Sequence, residues 1–292
     1  MYQTKVNREQ NNGNTKKITF QNLTTAIALI FFKVSINLYT VKEIILFDNV
    51  SKTYNLGLGK KRIDVLFEVS FNVNEGEIFG FVGPNGAGKS TTIKLMLNLI
   101  YPDKGKILIF GNKPDDTERR KNIGYLPEIP YYFDYLTPEE LAWFSGKIIG
   151  LSDGEIKKRS DELFSRLFFE EHRRKKIKEL SKGNAQKAGI VATFISHPKL
   201  LILDEPMTGL DPIGRKLVGD LILEFKKRGH TIFLTSHILS DVERFCDRVA
   251  VVYQGRIKFC DSKNNLLKSG RNLEEIFYEV IGLRNSITTS NG

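Results

Sequence analysis

A five-residue apolar run, Ile78 to Val82, passes directly into Gly83-Pro84-Asn85-Gly86-Ala87-Gly88-Lys89-Ser90, and a helical pattern opens there with Thr91 next in line. Few local sequences constrain a fold so tightly. The glycines let successive backbone N–H groups converge on phosphate oxygens, and the following helix adds the positive end of its dipole. Lys89 then reaches the outer phosphates, and Ser90 supplies a hydroxyl for Mg²⁺. The order strand, loop, helix predicts a nucleoside-triphosphate site, although the loop alone names no reaction.

Around this loop the chain reads in blocks. Ile44 to Phe47, Leu66 to Val73 and Lys106 to Phe110 have strand character between Gly, Asn and Asp turns, which predicts a β-rich layer beside the loop. Helix starts then dominate. Thr137-Pro138-Glu139-Glu140 combines an N-cap, a Pro at the first helical position and a capping-box Glu, and Ser152-Asp153-Gly154-Glu155 repeats the device. The helix after Ser152 places Ile156, Leu163, Phe164, Leu167 and Phe168 on one face, a core stripe. Leu200 to Leu203 and Thr231 to Leu234 read as buried parallel strands, and Leu273 to Ile281 as a short amphipathic helix ahead of a polar tail.

The run Leu200 to Leu203 ends in Asp204-Glu205-Pro206. Two carboxylates at the end of a strand fit for the interior need partners, and ligands of such sheets bind at the carboxyl ends of the strands. Neighbouring strand residues point to opposite sides, so the two acids are expected to have different jobs. Asp204 is the natural Mg²⁺ neighbour, and Glu205 the group to orient or deprotonate an attacking water.

With these residues in hand, the stretch from about Lys42 to Asp261 resembles the ATP-binding subunits of ABC transporters. Leu180-Ser181-Lys182-Gly183-Asn184 is similar to the family signature, Leu-Ser-Gly-Gly-Gln. Gly209-Leu210-Asp211-Pro212 resembles the loop after the acidic strand, Thr235-Ser236-His237 the strand end whose His meets the γ-phosphate, and Tyr54 the aromatic that stacks on adenine. Two motifs depart from the pattern. Glu128, in Gly124-Tyr125-Leu126-Pro127-Glu128, replaces a Gln that contacts γ-phosphate and Mg²⁺, and the signature carries Lys182 for Gly and Asn184 for Gln. Both changes look like the branch serving separate, mostly exporting permeases.

The resemblance implies a P-loop NTPase (RecA-like) core with an antiparallel β subdomain and an inserted α-helical subdomain at about residues 129–185, the whole ATP-binding domain covering 42–262. It implies ATP and Mg²⁺ as ligands. Tyr54, Gly83 to Thr91, Glu128, Ser181 to Asn184 and Asp211 would hold the nucleotide, Ser90, Asp204 and Glu128 the metal, and Glu205 and His237 would be catalytic. One copy of each motif implies a second ATPase subunit, identical or similar, whose signature closes over this chain's loop, and an integral membrane permease as the other partner. The expected location is the cytoplasmic face of the membrane, peripherally. The alternative is a soluble ABC ATPase acting on ribosomes or nucleic acid. Ribosome-type members carry two motif sets in one chain and chromosome-type members a long coiled coil between loop and signature; neither is present here.

The remaining features exclude more than they assign. Asn112-Lys113-Pro114-Asp115 has the letters of a guanine-specificity motif, but it follows the phosphate loop too closely and reads as turn chemistry. The run His172-Arg173-Arg174-Lys175-Lys176 lacks interleaved aromatics and reads as a solvated helix end or an approach to the signature, not a nucleic-acid patch. Of the formal charge of +10, four units sit in residues 1–41, where five Lys/Arg face one acid. The balance left for the domain is that of a solvated surface, and no nucleic-acid partner is expected. Cys246 and Cys260 form no ligand cluster. The apolar stretch Ala26 to Phe32 stops at Lys33, short of the roughly 20 residues a membrane span needs. Residues 1–41 are expected to be an extension, either preceding the true start near Val41 or anchoring at a membrane surface, and 263–292 a C-terminal helix and tail.

Overall fold

The computed structural model describes residues 42–282, apart from 56, 58–61, 116 and 130–131. The expected extension at 1–41 and the polar tail from 283 onward lie outside the described residues. Two sheets organise the rest. Strand β1 (Glu43–Asn55) pairs antiparallel with β2 (Arg62–Asn74) and with β4 (Lys104–Ile109), giving the order β2-β1-β4. The larger sheet runs β5-β6-β7-β3-β8-β9, built from β3 (Ile78–Val82), β5 (Ile123–Leu126), β6 (Leu200–Asp204), β7 (Thr231–Ser236), β8 (Arg248–Tyr253) and β9 (Arg256–Ser262). Its pairs are parallel except at β9, which lies antiparallel to β8.

Burial on both faces explains why β3, β6 and β7 read as unbroken apolar runs. Alternate residues feed two cores. Ile78, Val82, Leu201, Leu203, Ile232 and Leu234 pack toward the helices on one side, while Phe79, Phe81, Leu200, Ile202 and Phe233 pack toward the small antiparallel sheet on the other. Phe71 of β2 lies at the centre of that second core, its ring 5.6 Å from Phe79, 5.5 Å from Phe81 and 6.1 Å from Phe233. Each such pair adds about 0.5–1.5 kcal/mol beyond area burial, so this aromatic cluster fixes the antiparallel layer against β3, the strand that delivers the phosphate loop.

The helices follow their local signals. Helix α1 (Lys89–Met96) opens from the loop, and a single turn α2 (Thr117–Arg120) precedes β5. Both capping boxes form: Thr137 and Glu140 start α3 (Pro138–Ile148), and Ser152 and Glu155 start α4 (Asp153–Arg166). Helix α5 (Lys182–Phe194) leads into β6, α6 (Pro212–Lys227) into β7, and α7 (Leu239–Phe245) into β8. The expected C-terminal helix is present as α9 (Leu273–Val280), preceded by an unforeseen α8 (Lys263–Ser269). Leu266, Leu273 and Ile276 bury in the same core as Val242 and Phe245.

Two expectations are corrected. Phe168 does not join the α4 stripe: the helix ends at Arg166, Phe168 adopts φ 46° and is 74% exposed, and Phe169 is buried in its place, 5.7 Å from the Phe164 ring. One left-handed residue shifts the pattern by a position. The basic run is not simply solvated either. Arg173 reaches Asp161 at 2.8 Å and Glu139 at 2.6 Å, with its guanidinium 4.8 Å above the Phe164 ring, and so ties α3 to α4. Asn112 closes a tight turn through a bridge to Ile109, and Pro114 and Asp115 lie in the next turn, as turn chemistry requires.

Candidate functional site

Strands β6, β7 and β3 are adjacent and parallel, so their carboxyl ends reach one edge together. In register, Val82 pairs with Ser236 and Asp204 with Thr235. Three segments far apart in sequence meet there: the phosphate loop, the acid pair and the His237 strand end. The cavity at this edge, about 160 Å³, is lined by the loop together with Glu128, Asp204 and Glu205, and by Val65.

The loop is held by its own backbone. Ala87 N–H donates to Pro84 O at 3.2 Å, and Gly255 N–H, from the turn between β8 and β9, donates to Ala87 O at 3.1 Å. Gly88 has φ 110°, and a Cβ there would lie 2.6 Å from Leu66 Cδ2. At Gly83 a Cβ would lie 2.3 Å from Val252 O, so that position needs Gly for space alone. The N–H groups of Gly86, Gly88, Lys89 and Ser90 have no protein acceptor among the described residues, and they sit at the N-terminus of α1. Lys89 Nζ lies in the floor, 2.6 Å from Gly83 O and 3.9 Å from Glu205 Oε1. The arrangement is a cradle for an anion.

Asp204 and Glu205 are each 5% exposed. The expectation that they point to opposite sides does not hold. Asp204 is the last strand residue, Glu205 turns to φ 51°, and both line the same cavity. Thr235 organises them: its hydroxyl donates to Asp204 Oδ1 at 2.5 Å and accepts Glu205 N–H at 3.1 Å. Burial pushes the Asp204 carboxyl above the usual range against that hydrogen bond, and the charges of Glu128 and Glu205 push the same way. The acidic field extends to Tyr125, whose hydroxyl is pushed up to about 12 by burial first and by Asp204 and Glu128 next. His237 Nδ1 lies 2.8 Å from Glu205 Oε2, and its side chain is 53% exposed, so it is not a core histidine.

The signature segment stands apart. Ser181 caps α5 by accepting Asn184 N–H at 3.3 Å, and Asp211 caps α6 by accepting Gly214 N–H at 2.7 Å. Ser181 to Asn184 and Gly209 to Asp211 line a second concavity of their own, with Lys187. Tyr54, on β1, pairs in register with Ile63 of β2, lies under the Lys52 ammonium at 5.9 Å, and does not line the first cavity. Sequence reading missed Val65, Thr235 and Gly255. Only Thr235 carried a local signal, as the residue two before His237.

Comparison with known proteins bears on the family and the fold. A family model described as ABC transporter matches residues 66–208. An uncharacterized ABC transporter ATP-binding protein of Nostoc sp. is 38% identical over 230 residues, 78% of this chain and 69% of that protein. A solved ATP-binding subunit of an ABC transporter superimposes with a TM-score of 0.74 at 33% identity, covering 82% of this chain and 99% of that one. A dimeric bacterial ABC transporter cassette follows at a TM-score of 0.68 and 25% identity, covering 75% of this chain and 98% of the other. The aligned segment is about two thirds of the full length of the curated relatives.

Proposed function

This chain belongs to the ATP-binding proteins of the ABC transporter family, and from that premise we propose that two such subunits clamp two ATP molecules between them, hydrolyse them and drive a separate membrane permease. The observation that carries the reading is the division of the site. The phosphate cradle and the acid pair share one cavity, whereas the signature residues Ser181 to Asn184 line another. Each half needs a complement from a second subunit. Closure then supplies contacts to the terminal phosphate that the open state lacks, the differential binding a nucleotide switch requires.

In this reading the N–H groups of Gly86, Gly88, Lys89 and Ser90 and the Lys89 ammonium hold the phosphates, with Thr91 beside them, and Tyr54 packs on the base at the cavity's outer side. Glu205 accepts a proton from water as that water's oxygen bonds to the γ-phosphorus and the bond to the ADP oxygen breaks. His237, hydrogen-bonded to Glu205, orients that carboxylate. Ser90, Asp204 and Glu128 offer only oxygen donors, which suits Mg²⁺. Among the described residues no three His, Cys, Asp or Glu side chains could hold a metal by themselves, in keeping with an ion bound largely by phosphate oxygens and water. Bound there, Mg²⁺ would neutralise phosphate charge.

No helix among the described residues is long and apolar enough to cross a membrane. The pairing with a permease puts the subunit peripherally, at the cytoplasmic face. The helical segment at about 129–185, linked to the cavity through Glu128, would transmit closure. The test is Glu205→Gln. The variant should bind Mg-ATP, form dimers in sedimentation and lose turnover by at least about a hundredfold. Undiminished hydrolysis would remove Glu205 from its role. A polytopic protein co-purifying in mild detergent identifies the permease; nucleic acid in its place would overturn the transport reading.

A further inference from the structure

The two concavities carry opposite charge. Three carboxylates, Glu128, Asp204 and Glu205, face the phosphate cavity against the single ammonium of Lys89, whereas Lys182 and Lys187 line the signature concavity with Asp211 alone. Most of these charges are already committed. Glu205 has Lys89 and His237, Asp204 has Thr235, Asp211 caps α6, and Lys187 donates to Leu167 O at 3.1 Å. Glu128 and Lys182 are both exposed, and neither has a hydrogen bond or ion pair among the described residues. The aliphatic stem of Lys182 lies along Gly209, its carbons 3.2–3.3 Å from where a Cβ on that glycine would be. The stem is thereby supported while the ammonium stays at the rim.

We propose that Lys182 of one subunit pairs with Glu128 of a second copy of this chain, so that the two form a reciprocal charge lock across the closed interface. The inference rests on the head-to-tail clamp proposed above and goes beyond it by assigning partner choice to these two residues. A two-fold clamp uses the lock twice, because each subunit contributes one acid and one base. The pairing favours a second copy, or a subunit with the same two residues. A partner with neutral groups at both positions leaves two charges without complements at each closure.

The experiment is a charge swap in the full-length Glu205→Gln background with Mg-ATP, read by sedimentation and by energy transfer between differently labelled chains. Lys182→Glu alone sets an acid against Glu128 at both sites, and Glu128→Lys alone sets a base against Lys182 at both. Each variant should self-associate at least about tenfold more weakly than the parent. In a mixed dimer of the two variants each site again sets an acid against a base, so mixing them should restore association to close to the parental level. A second rescue is the double variant Lys182→Glu with Glu128→Lys, which restores an acid facing a base at both sites of its own dimer with the signs reversed, and which meets the parent acid to acid at one site and base to base at the other. It should self-associate with close to the parental affinity and should not pair with the parent. ATP affinity of each variant, measured with a fluorescent nucleotide below the dimerisation range, separates nucleotide binding from association. A double variant no stronger in self-association than the single ones, or Lys182→Glu dimers as strong as the parent's, would overturn the lock and leave the clamp standing. Failure of the parental Glu205→Gln chain to dimerise with Mg-ATP would overturn the clamp and the lock with it.

Discussion

Thr235 sits where one hydroxyl supports both acids, and its removal tests the site's construction. Thr235→Val keeps the shape and the β-branch while deleting the hydroxyl. It removes a hydrogen bond to the Asp204 carboxylate at 2.5 Å and leaves the Glu205 N–H without its acceptor at 3.1 Å, both in buried surroundings. A hydrogen bond to a charged group is worth about 1.5–3 kcal/mol, and an orphaned buried N–H costs about 1–3 kcal/mol. The methyl group replacing the hydroxyl recovers about 0.8 kcal/mol. The net loss is about 2–5 kcal/mol, or roughly 4–20 °C in Tm for a domain of this size. Urea titration should show a lower midpoint with unchanged slope. Thr235→Ser, which retains the hydroxyl, should lose only about 1 kcal/mol and keep ATPase activity. The hydroxyl supports the ionised form of Asp204, so the Val deficit should be full at neutral pH and shrink as pH falls through the Asp204 pKa. A Val variant within about 0.5 kcal/mol of the parent, or a deficit independent of pH, would refute the argument.

Three further outcomes follow from the same geometry. Asp204→Asn should stabilise the nucleotide-free protein at neutral pH: the native carboxyl is raised above its unfolded value, so its burial costs stability once pH exceeds the unfolded pKa, and the full cost is reached above the folded one. That advantage should vanish below the unfolded value of about 3.9, as thermal melts at several pH values would show, while ATP turnover is lost. Gly83→Ala should abolish nucleotide binding and cost about 1–3 kcal/mol, because its Cβ would meet the Val252 carbonyl at 2.3 Å. Gly86→Ala has open space but φ 80° and should cost only about 1–2 kcal/mol; equal melting temperatures for the two would contradict the steric reading. Arg173→Met should weaken the α3–α4 pairing by about 1–2 kcal/mol, with a smaller difference at about 0.5 M salt than at about 0.05 M in paired melts.

What could be read from sequence was whatever the chain encodes locally. The two capping boxes at Thr137 and Ser152 formed as written, because each is closed by residues three apart. The buried strands β3, β6 and β7 were visible because a sheet covered on both faces leaves no polar face to interrupt the run. Phe168 was misplaced because helical periodicity continues in the letters past Arg166, whereas the backbone turns left-handed and presents Phe169 to the core. Val65 and Gly255 were invisible for a different reason. Each touches the loop only through a tertiary approach, Gly255 by one backbone hydrogen bond to Ala87.

The acid pair shows how a useful assignment can follow from an incomplete geometric premise. Strand alternation predicted opposite sides and hence separate roles, yet the left-handed turn at Glu205 brings both carboxylates into one cavity. Their difference comes from neighbours and not from direction. Asp204, bonded to Thr235, lies under the charge of Glu128, while Glu205 faces a cation on one side and an imidazole on the other. In the proposed mechanism Glu205 takes a proton during turnover, and His237, 2.8 Å away, is placed to hold that carboxylate in position. On this argument His237→Ala should lower turnover while leaving Mg-ATP affinity within about threefold, since the histidine touches the base and not the phosphate cradle. Stopped-flow nucleotide binding beside steady-state ATPase assays separates the two. A loss confined to binding would move His237 from Glu205 to the phosphate.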